Sequence, residues 1–479
     1  VVGFEGLSLW SSSLKPSASL HVELMLEREG LDAAMPSRRL FLAASALASF
    51  LIPFTSMAVN VALPAVARAL DVDMASANWF ANVFLMSMAS AVLLFGVVAD
   101  WLGRELMFIA GTAIFTAAAF SVLYTSEFAW LLALRCVQGL GAAMISGTAI
   151  AILASLFPEK TGVVIGVNTT AVYVGVTLGP FLGGLLVDYA GWPSLFLLSG
   201  AIAAASFTLA SSSLSFSKRG GGRRPHLQTL LLFTLSTILV STGSAYPRST
   251  HGLAALSLGL AAFTSALYKE YRKPLNLVEQ VFEGGTFLAY MAALLNYVAT
   301  YAITILYSNF LQVEAGFTAG LAGTILLAQP IPQALLSPLA GYLADRSDPG
   351  LLAAAGMSFI ALGIGTSLAG YRWLSLLVAS LIILGVGFAF FASPNTTQIM
   401  RRIPKEALAS ASSFLGLMRF LGQSLSTSIL TATMLALKTP VPMEASLTVY
   451  LIVAVAAAAV AAMSAQRGRS RQPSSARRS

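Results

Sequence analysis

Fourteen apolar segments alternate with short polar joints along the chain. They run near residues 39–60, 77–98, 106–125, 128–156, 162–187 and 193–214, then 227–245 and 252–268, then 284–309, 317–340, 350–370, 373–393, 407–436 and 445–464. A helix needs about 20 apolar residues to cross the hydrocarbon core, and these segments are of that order. The pattern therefore predicts an all-α integral membrane protein. The grouping is six, two and six, so two six-helix bundles with an inserted helix pair are expected. The corresponding divisions are an N-terminal tail (1–37), a first bundle (38–214), linkers with the extra pair (215–283), a second bundle (284–464) and a basic tail (465–479).

One short element repeats in register with this grouping. The second segment ends in GVVADWLGRE (Gly96–Glu105) and the tenth in GYLADRSD (Gly341–Asp348), so Gly-x-x-Ala-Asp occupies the same place in both halves. Internal repeats around a central cavity give many transporters their two alternative openings.

Composition agrees with the pattern. Of 479 residues 57% are apolar and 10% charged, with a mean hydropathy of +0.80, against about 25% charged in an ordinary soluble chain. The net charge of +8 is not a nucleic-acid signature, because the basic residues cluster in short joints. With the N-terminus in the cytoplasm, 22 of the 28 basic residues fall inside. Arg68, Arg248, Arg372 and Lys438 fall outside, and Arg135 and Arg419 lie within spans. This asymmetry places both termini in the cytoplasm of a multi-pass cell-membrane protein. Residues 1–37 lack the apolar core of a secretory peptide, and Met35 is the expected start of translation. A single cysteine, Cys136, and three scattered histidines, His21, His226 and His251, provide no disulfide, metal site or cofactor anchor.

Four motifs carry chemistry. In GVVADWLGRE, Gly96 and Gly103 permit close approach and a tight turn, while Asp100 and Arg104 can pair at the helix ends. In LLALRCVQGLGAAM (Leu131–Met144), Arg135 and Gln138 share a helix face within a span, where a cation is costly and faces protein or a water-filled cavity. In GVNTTAVYVGVTLGPFLGG (Gly166–Gly184), Gly175, Gly179 and Gly183 form a flat face for close packing, and Pro180 weakens the hydrogen-bond ladder. The fourth is SMAVNVALP (Ser56–Pro64), with Asn60 and Pro64.

On these motifs, over residues 38–464, the chain resembles the major facilitator superfamily, and within it the fourteen-helix drug:proton antiporter branch. The resemblance implies alternating-access transport of a small molecule, with no enzymatic reaction and a single chain sufficient. It implies that the loop with Asp100 and Arg104, and its counterpart with Asp345 and Arg346, latch the two bundles. It gives the glycine-rich fifth helix an antiporter role and Arg135 a part in proton transfer or cavity organisation. The chain departs from the branch where Trp101 and Glu105 replace basic residues, and where Thr55 stands in place of an acid.

That last departure leaves the energy source open. None of the 20 acidic residues falls at mid-span, although proton coupling normally uses a carboxylate whose pKa responds to burial. Glu283, Asp188 and Asp100 near helix ends are the alternatives. Proton-coupled efflux of amphipathic or hydrophobic compounds, uniport, and exchange of a metabolite or lipid precursor all stay open, as does a structural or sensory role. With two embedded arginines and no mid-span acid, the cavity is expected to favour neutral or anionic compounds over organic cations. Candidate path residues are Asn60, Asn82, Gln138, Asn168, Tyr173, Asn296, Tyr297, Gln329, Gln333, Asn395, Arg419 and Gln423. Pro330, Pro332 and Pro338 predict a bent or broken tenth helix lining the cavity.

Overall fold

The computed structural model describes residues 36–157, 161–213, 227–272, 286–403 and 408–469. Helices α1 (Pro36–Leu70), α2 (Met74–Leu102), α3 (Arg104–Ser121), α4 (Phe128–Leu156), α5 (Thr161–Ala190) and α6 (Ser194–Ser213) form the first bundle. The inserted pair is α7 (Leu227–Ala245) and α8 (Thr250–Arg272). The second bundle comprises α9 (Thr286–Asn309), α10 (Ala319–Leu326), α11 (Pro330–Arg346), α12 (Pro349–Gly370), α13 (Leu374–Met400), α14 (Leu408–Leu437) and α15 (Met443–Arg469). Among the described residues, fourteen helical stretches are long and apolar enough to cross a membrane. Both described ends of the chain therefore emerge on one face, here called the terminal face. Glu283, residues 1–35 and residues 470–479 lie outside the described residues.

Two spans differ from the plain apolar pattern in instructive ways. The first helix continues through Pro53 and Pro64 to Leu70, because Leu63 and Val66 beyond the predicted end are fully buried and packing holds the helix together. The tenth span breaks as its prolines predict. Between α10 and α11 the amides of Leu327, Ala328 and Gln329 bond three residues back, to Thr324, Ile325 and Leu326. Pro330 and Pro332 supply no N–H to continue the ladder.

The two bundles repeat the same packing. In the first, α1 packs on α5 and α6, α2 on α4, and α3 on α4 and α6. In the second, α9 packs on α14 and α15, α11 on α13, and α12 on α13 and α15. The bundles meet along α2 with α14, α5 with α10, and α1 with α9. These pairings exchange corresponding helices, as a two-fold relation between halves requires.

The glycine-rich face of α5 serves two neighbours. A Cβ on Gly179 would lie 2.6 Å from Met57 Cβ, and one on Gly183 would lie 2.7 Å from Ala58 Cα, so this face seats α1. Gly175 is equally confined, by the Phe50 carbonyl. Gly184 instead meets the carbonyl of Ala319 in α10, and Gly323 of α10 meets the carbonyl of Pro180. Backbone-to-backbone approach therefore joins the halves here, which only residues without a side chain allow.

The inserted helix α7 packs against both α2 and α14, across the line where the halves meet. Ser241 accepts from Ser424 Oγ at 3.0 Å through its hydroxyl and from Ser428 Oγ at 2.8 Å through its carbonyl. Thr234 Oγ1 donates to the Ser90 carbonyl at 2.7 Å, and Trp79 stacks on Tyr246. Helix α8 packs chiefly on α7.

Gly323→Ala should force α5 and α10 apart at the Pro180 carbonyl. Overpacking of this kind costs about 1–3 kcal/mol. A lowered unfolding temperature, together with faster thiol labelling at the face opposite the termini, is the expected result in purified protein.

Candidate functional site

At mid-depth, α9 presents Tyr297 and Tyr301 one turn apart on one face. Tyr301 shares a 2.5 Å hydrogen bond with Ser56 of α1, which ties the two bundles together at the centre. Around it, Thr55 Oγ1 and both amide atoms of Asn60 are buried without a geometrically sound partner among the described residues, although Asn60 stands close to the Tyr301 hydroxyl. Thr55 thus places a buried hydroxyl where the resemblance leads one to expect an acid.

Arg135 of α4 is wholly enclosed, at 0% exposure. It does not extend to the membrane surface. Its Nε donates to the Phe80 carbonyl at 3.0 Å and its Nη1 to Gln138 Oε1 at 2.9 Å. The guanidinium carbon lies 5.4, 4.4 and 5.7 Å from the rings of Phe80, Phe84 and Phe196. Aromatic faces and a backbone carbonyl replace the carboxylate that usually accompanies a buried cation.

Arg419 of α14 is different. It is half-buried, and it makes no hydrogen bond or ion pair among the described residues. Its Nε is buried and unpartnered. The guanidinium carbon lies 5.8 Å from the Tyr297 ring and 5.5 Å from that of Phe420. Tyr297 meets Phe388 edge-on at 5.5 Å, and Tyr173 of α5 stands within electrostatic range of it across the two halves.

Several other candidate residues turn out to join helices. Asn168 accepts from Ser45 and Ser49 at 2.9 and 2.7 Å within the first bundle. Asn82 donates to Ser428 and accepts from Ser424, both at 2.9 Å, between α2 and α14. Asn395 donates to the Ala289 carbonyl, and Asn296 lies 3.1 Å from Met357 sulfur. Gln329 and Gln423 remain half-exposed, and Gln333 is buried. Tyr301 and the phenylalanine cage were absent from the sequence expectations. Its position four residues after Tyr297 was the available signal for Tyr301, whereas the cage draws on two helices distant from Arg135 in the chain.

The halves are further joined toward the face opposite the termini. Both carboxylate oxygens of Asp188, near the end of α5, accept from the backbone N–H groups that open α10, Ala319 at 3.0 Å and Gly320 at 2.6 Å. The carboxylate therefore caps a helix in the other bundle, complementing its dipole. Gln312 donates to the Val61 carbonyl at 2.8 Å, and Asn78 to the Thr427 carbonyl at 2.9 Å and Thr431 Oγ1 at 2.6 Å. Outside these bonds lies a cavity of about 750 Å³, whose lining includes Arg68, Asp71, Asp73, Gln312 and Lys438.

At the terminal face, Gly103 turns the chain between α2 and α3 with φ +117°, a conformation that favours glycine. In the second bundle Asp345 pairs with Arg401 at 2.9 Å, while Arg346 lies over Tyr342 at 4.2 Å. Gly96 packs against Gly147, and Gly341 faces Ser393. Nearby, burial lowers the Arg402 guanidinium below its ordinary pKa, and Asp348 opposes that shift.

Asp188→Asn keeps the shape but removes the charge and replaces one acceptor with a donor. The expected outcome is opening at the face opposite the termini, favoured by about 1–2 kcal/mol, the scale of a lost cap. Labelling of Thr55→Cys in a Cys136→Ser background by an impermeant maleimide should accelerate accordingly. Arg135→Lys cannot reproduce the fork between Phe80 and Gln138. A loss of about 1–3 kcal/mol is expected for the unsatisfied buried group, read as a lower unfolding temperature in detergent.

The family model described as Major Facilitator Superfamily matches residues 45–268 and 289–478. The multidrug resistance protein Stp of Mycobacterium tuberculosis is 29% identical over 407 residues, covering 83% of this chain and 76% of that protein. The riboflavin transporter RibZ of Clostridioides difficile is 25% identical over 383 residues, covering 77% and 82%. The solved peptide transporter POT superimposes with a TM-score of 0.65 over 89% of this chain and 95% of its own, at 14% identity, a likeness of fold.

Proposed function

The chain belongs to the major facilitator superfamily and is a multi-pass membrane transporter of that type; from this premise we propose that it exports small amphipathic compounds by proton-coupled alternating access. The observation that carries the reading is the contact between halves. It is built from one capping carboxylate, a few hydroxyl and amide bonds, and bare backbone, all of which can part without unfolding either bundle. Inside it, the Tyr297 and Tyr301 face and Arg419 form the central polar site.

The positive-inside asymmetry supports cytoplasmic termini in the cell membrane. In that orientation the closed face is the outer one, and the molecule stands ready to take up compound from the cytoplasm. The glycine-rich α5 and the relative named as a multidrug resistance protein support efflux. The sequence elements at Gly96–Arg104 and Gly341–Arg346 act in this reading as the inner latch. One chain contains the whole path, so a monomer suffices.

A second reading is uniport or exchange of a metabolite. The absence of a mid-span carboxylate favours it, as does the relative named as a riboflavin transporter.

Purified protein in vesicles with an imposed pH gradient separates the two. Proton antiport requires substrate accumulation that disappears when the gradient is collapsed, whereas unchanged accumulation selects the second reading. Preference for a permanent dication over neutral or anionic compounds would contradict the charge of the site.

A further inference from the structure

The two membrane-embedded arginines are both cationic residues within spans, but only one of them is available to a ligand. Arg135 has its Nε and Nη1 donors engaged, three rings around it and no exposed surface. Nothing entering the path could reach it without dismantling the α2, α4 and α6 contacts that hold Phe80, Phe84 and Phe196.

Arg419 has the opposite character. Its Nε is sequestered from solvent without an acceptor, a state that costs about 1–3 kcal/mol for a polar group and more for a charged one. The rest of the guanidinium is half-open, and Gln423 one turn further on shares its helix face. Helices α9, α13 and α14 have no acidic residue over their spans, and the acid of α5 is Asp188 at its far end, committed to α10. An anionic group on a ligand would pair with the accessible part of the guanidinium, for which these helices offer no carboxylate. A planar carboxylate suits the guanidinium fork, which binds two oxygens side by side.

The surroundings select the rest of the molecule. Tyr297 and Phe420 flank the guanidinium, Phe388 supports the Tyr297 ring, and Tyr173 approaches from the other bundle. These aromatic surfaces suit a flat apolar ring system. A single open cation balances a single charge, and a second negative charge would be left unpaired in a low-dielectric site. We infer that Arg419 is the charge-recognising residue of the transported compound and that the site takes an aromatic monoanion. This rests on the transporter reading above, but not on its energy source.

The test is equilibrium binding to the full-length protein in lipid nanodiscs, with no gradient present. Radiolabelled 2-naphthoate, its neutral amide 2-naphthamide and the cation 2-naphthylmethylammonium serve as probes of matched shape. The wild type should bind naphthoate at least about tenfold tighter than the amide, and the cation most weakly, a ratio equivalent to one charge-assisted contact. Arg419→Gln should reduce the naphthoate-to-amide ratio to about one, and Arg419→Lys should lower it by about threefold or more, since the fork is lost while the charge stays. In the folded fraction of Arg135→Lys the ratio should stay within about twofold of wild type.

A ratio unchanged in Arg419→Gln overturns the inference. Should that variant fail to fold, an unchanged ratio in Arg419→Lys does so instead. Equal binding of all three probes by the wild type, tighter binding of the cation, or no naphthoate binding below millimolar concentration also overturns it. Because binding is read without a gradient, failure of proton coupling leaves the result intact, and failure here leaves gradient-driven transport of other compounds intact.

Discussion

Two guanidinium groups lie within the spans of a protein that places no carboxylate at mid-depth, and much of the interior is arranged around that imbalance. A cation in a low-dielectric interior must be hydrogen-bonded, surrounded by polarisable faces, or left in contact with a water-filled space. The first bundle takes the first two courses with Arg135, using the Phe80 carbonyl, Gln138 and three phenylalanines. The second leaves Arg419 half-buried beside the Tyr297 and Phe420 rings, with an unmatched Nε donor. One arginine is therefore sealed within the packing, and the other is partly open.

The contact between bundles obeys a different requirement. It must be tight enough to seal one face and weak enough to open. Glycine-to-carbonyl approach at Gly184 and Gly323 provides shape without a large apolar surface. Directional bonds from Asp188, Gln312, Asn78 and Asn82 provide register. Such bonds are each worth about 0.5–1.5 kcal/mol net, or about 1.5–3 kcal/mol where the Asp188 carboxylate accepts, so a modest difference in ligand affinity between two arrangements can move the balance. The inserted helix α7 adds a strap across the α2 and α14 line, bonded to both. It covers that line, while among the described residues the α5 and α10 line has no such strap.

This arrangement bears on energy coupling. With the buried, unpartnered hydroxyl of Thr55 in place of a carboxylate, no acid among the described residues stands beside the central tyrosines. Asp188 is the described carboxylate that bridges the bundles, through its two bonds to the start of α10. The fold hosts many cargoes, and the differing printed functions of the relatives illustrate that breadth.

Much was legible in the sequence because a bilayer leaves few choices. Each span must satisfy its backbone internally, so apolar runs of the right length announce helices, and the recurring Gly-x-x-Ala-Asp element announces the two halves. The three prolines announced the broken tenth span, since a missing N–H breaks the ladder wherever it falls. Other features depended on which surfaces meet. Gly175, Gly179 and Gly183 signalled close packing, but their partner α1, and the crossing of Gly184 to α10, emerged only on folding. For Asn82 and Asn168 the sequence leaves both a path contact and a helix-to-helix bond open, because an amide within a span satisfies a neighbour or a ligand with the same atoms, and in the structure both join helices. Arg135 and Arg419 look alike along the chain. Distant side chains gathered around one and not the other, and that separation of a sealed charge from an open one belongs to the tertiary structure alone.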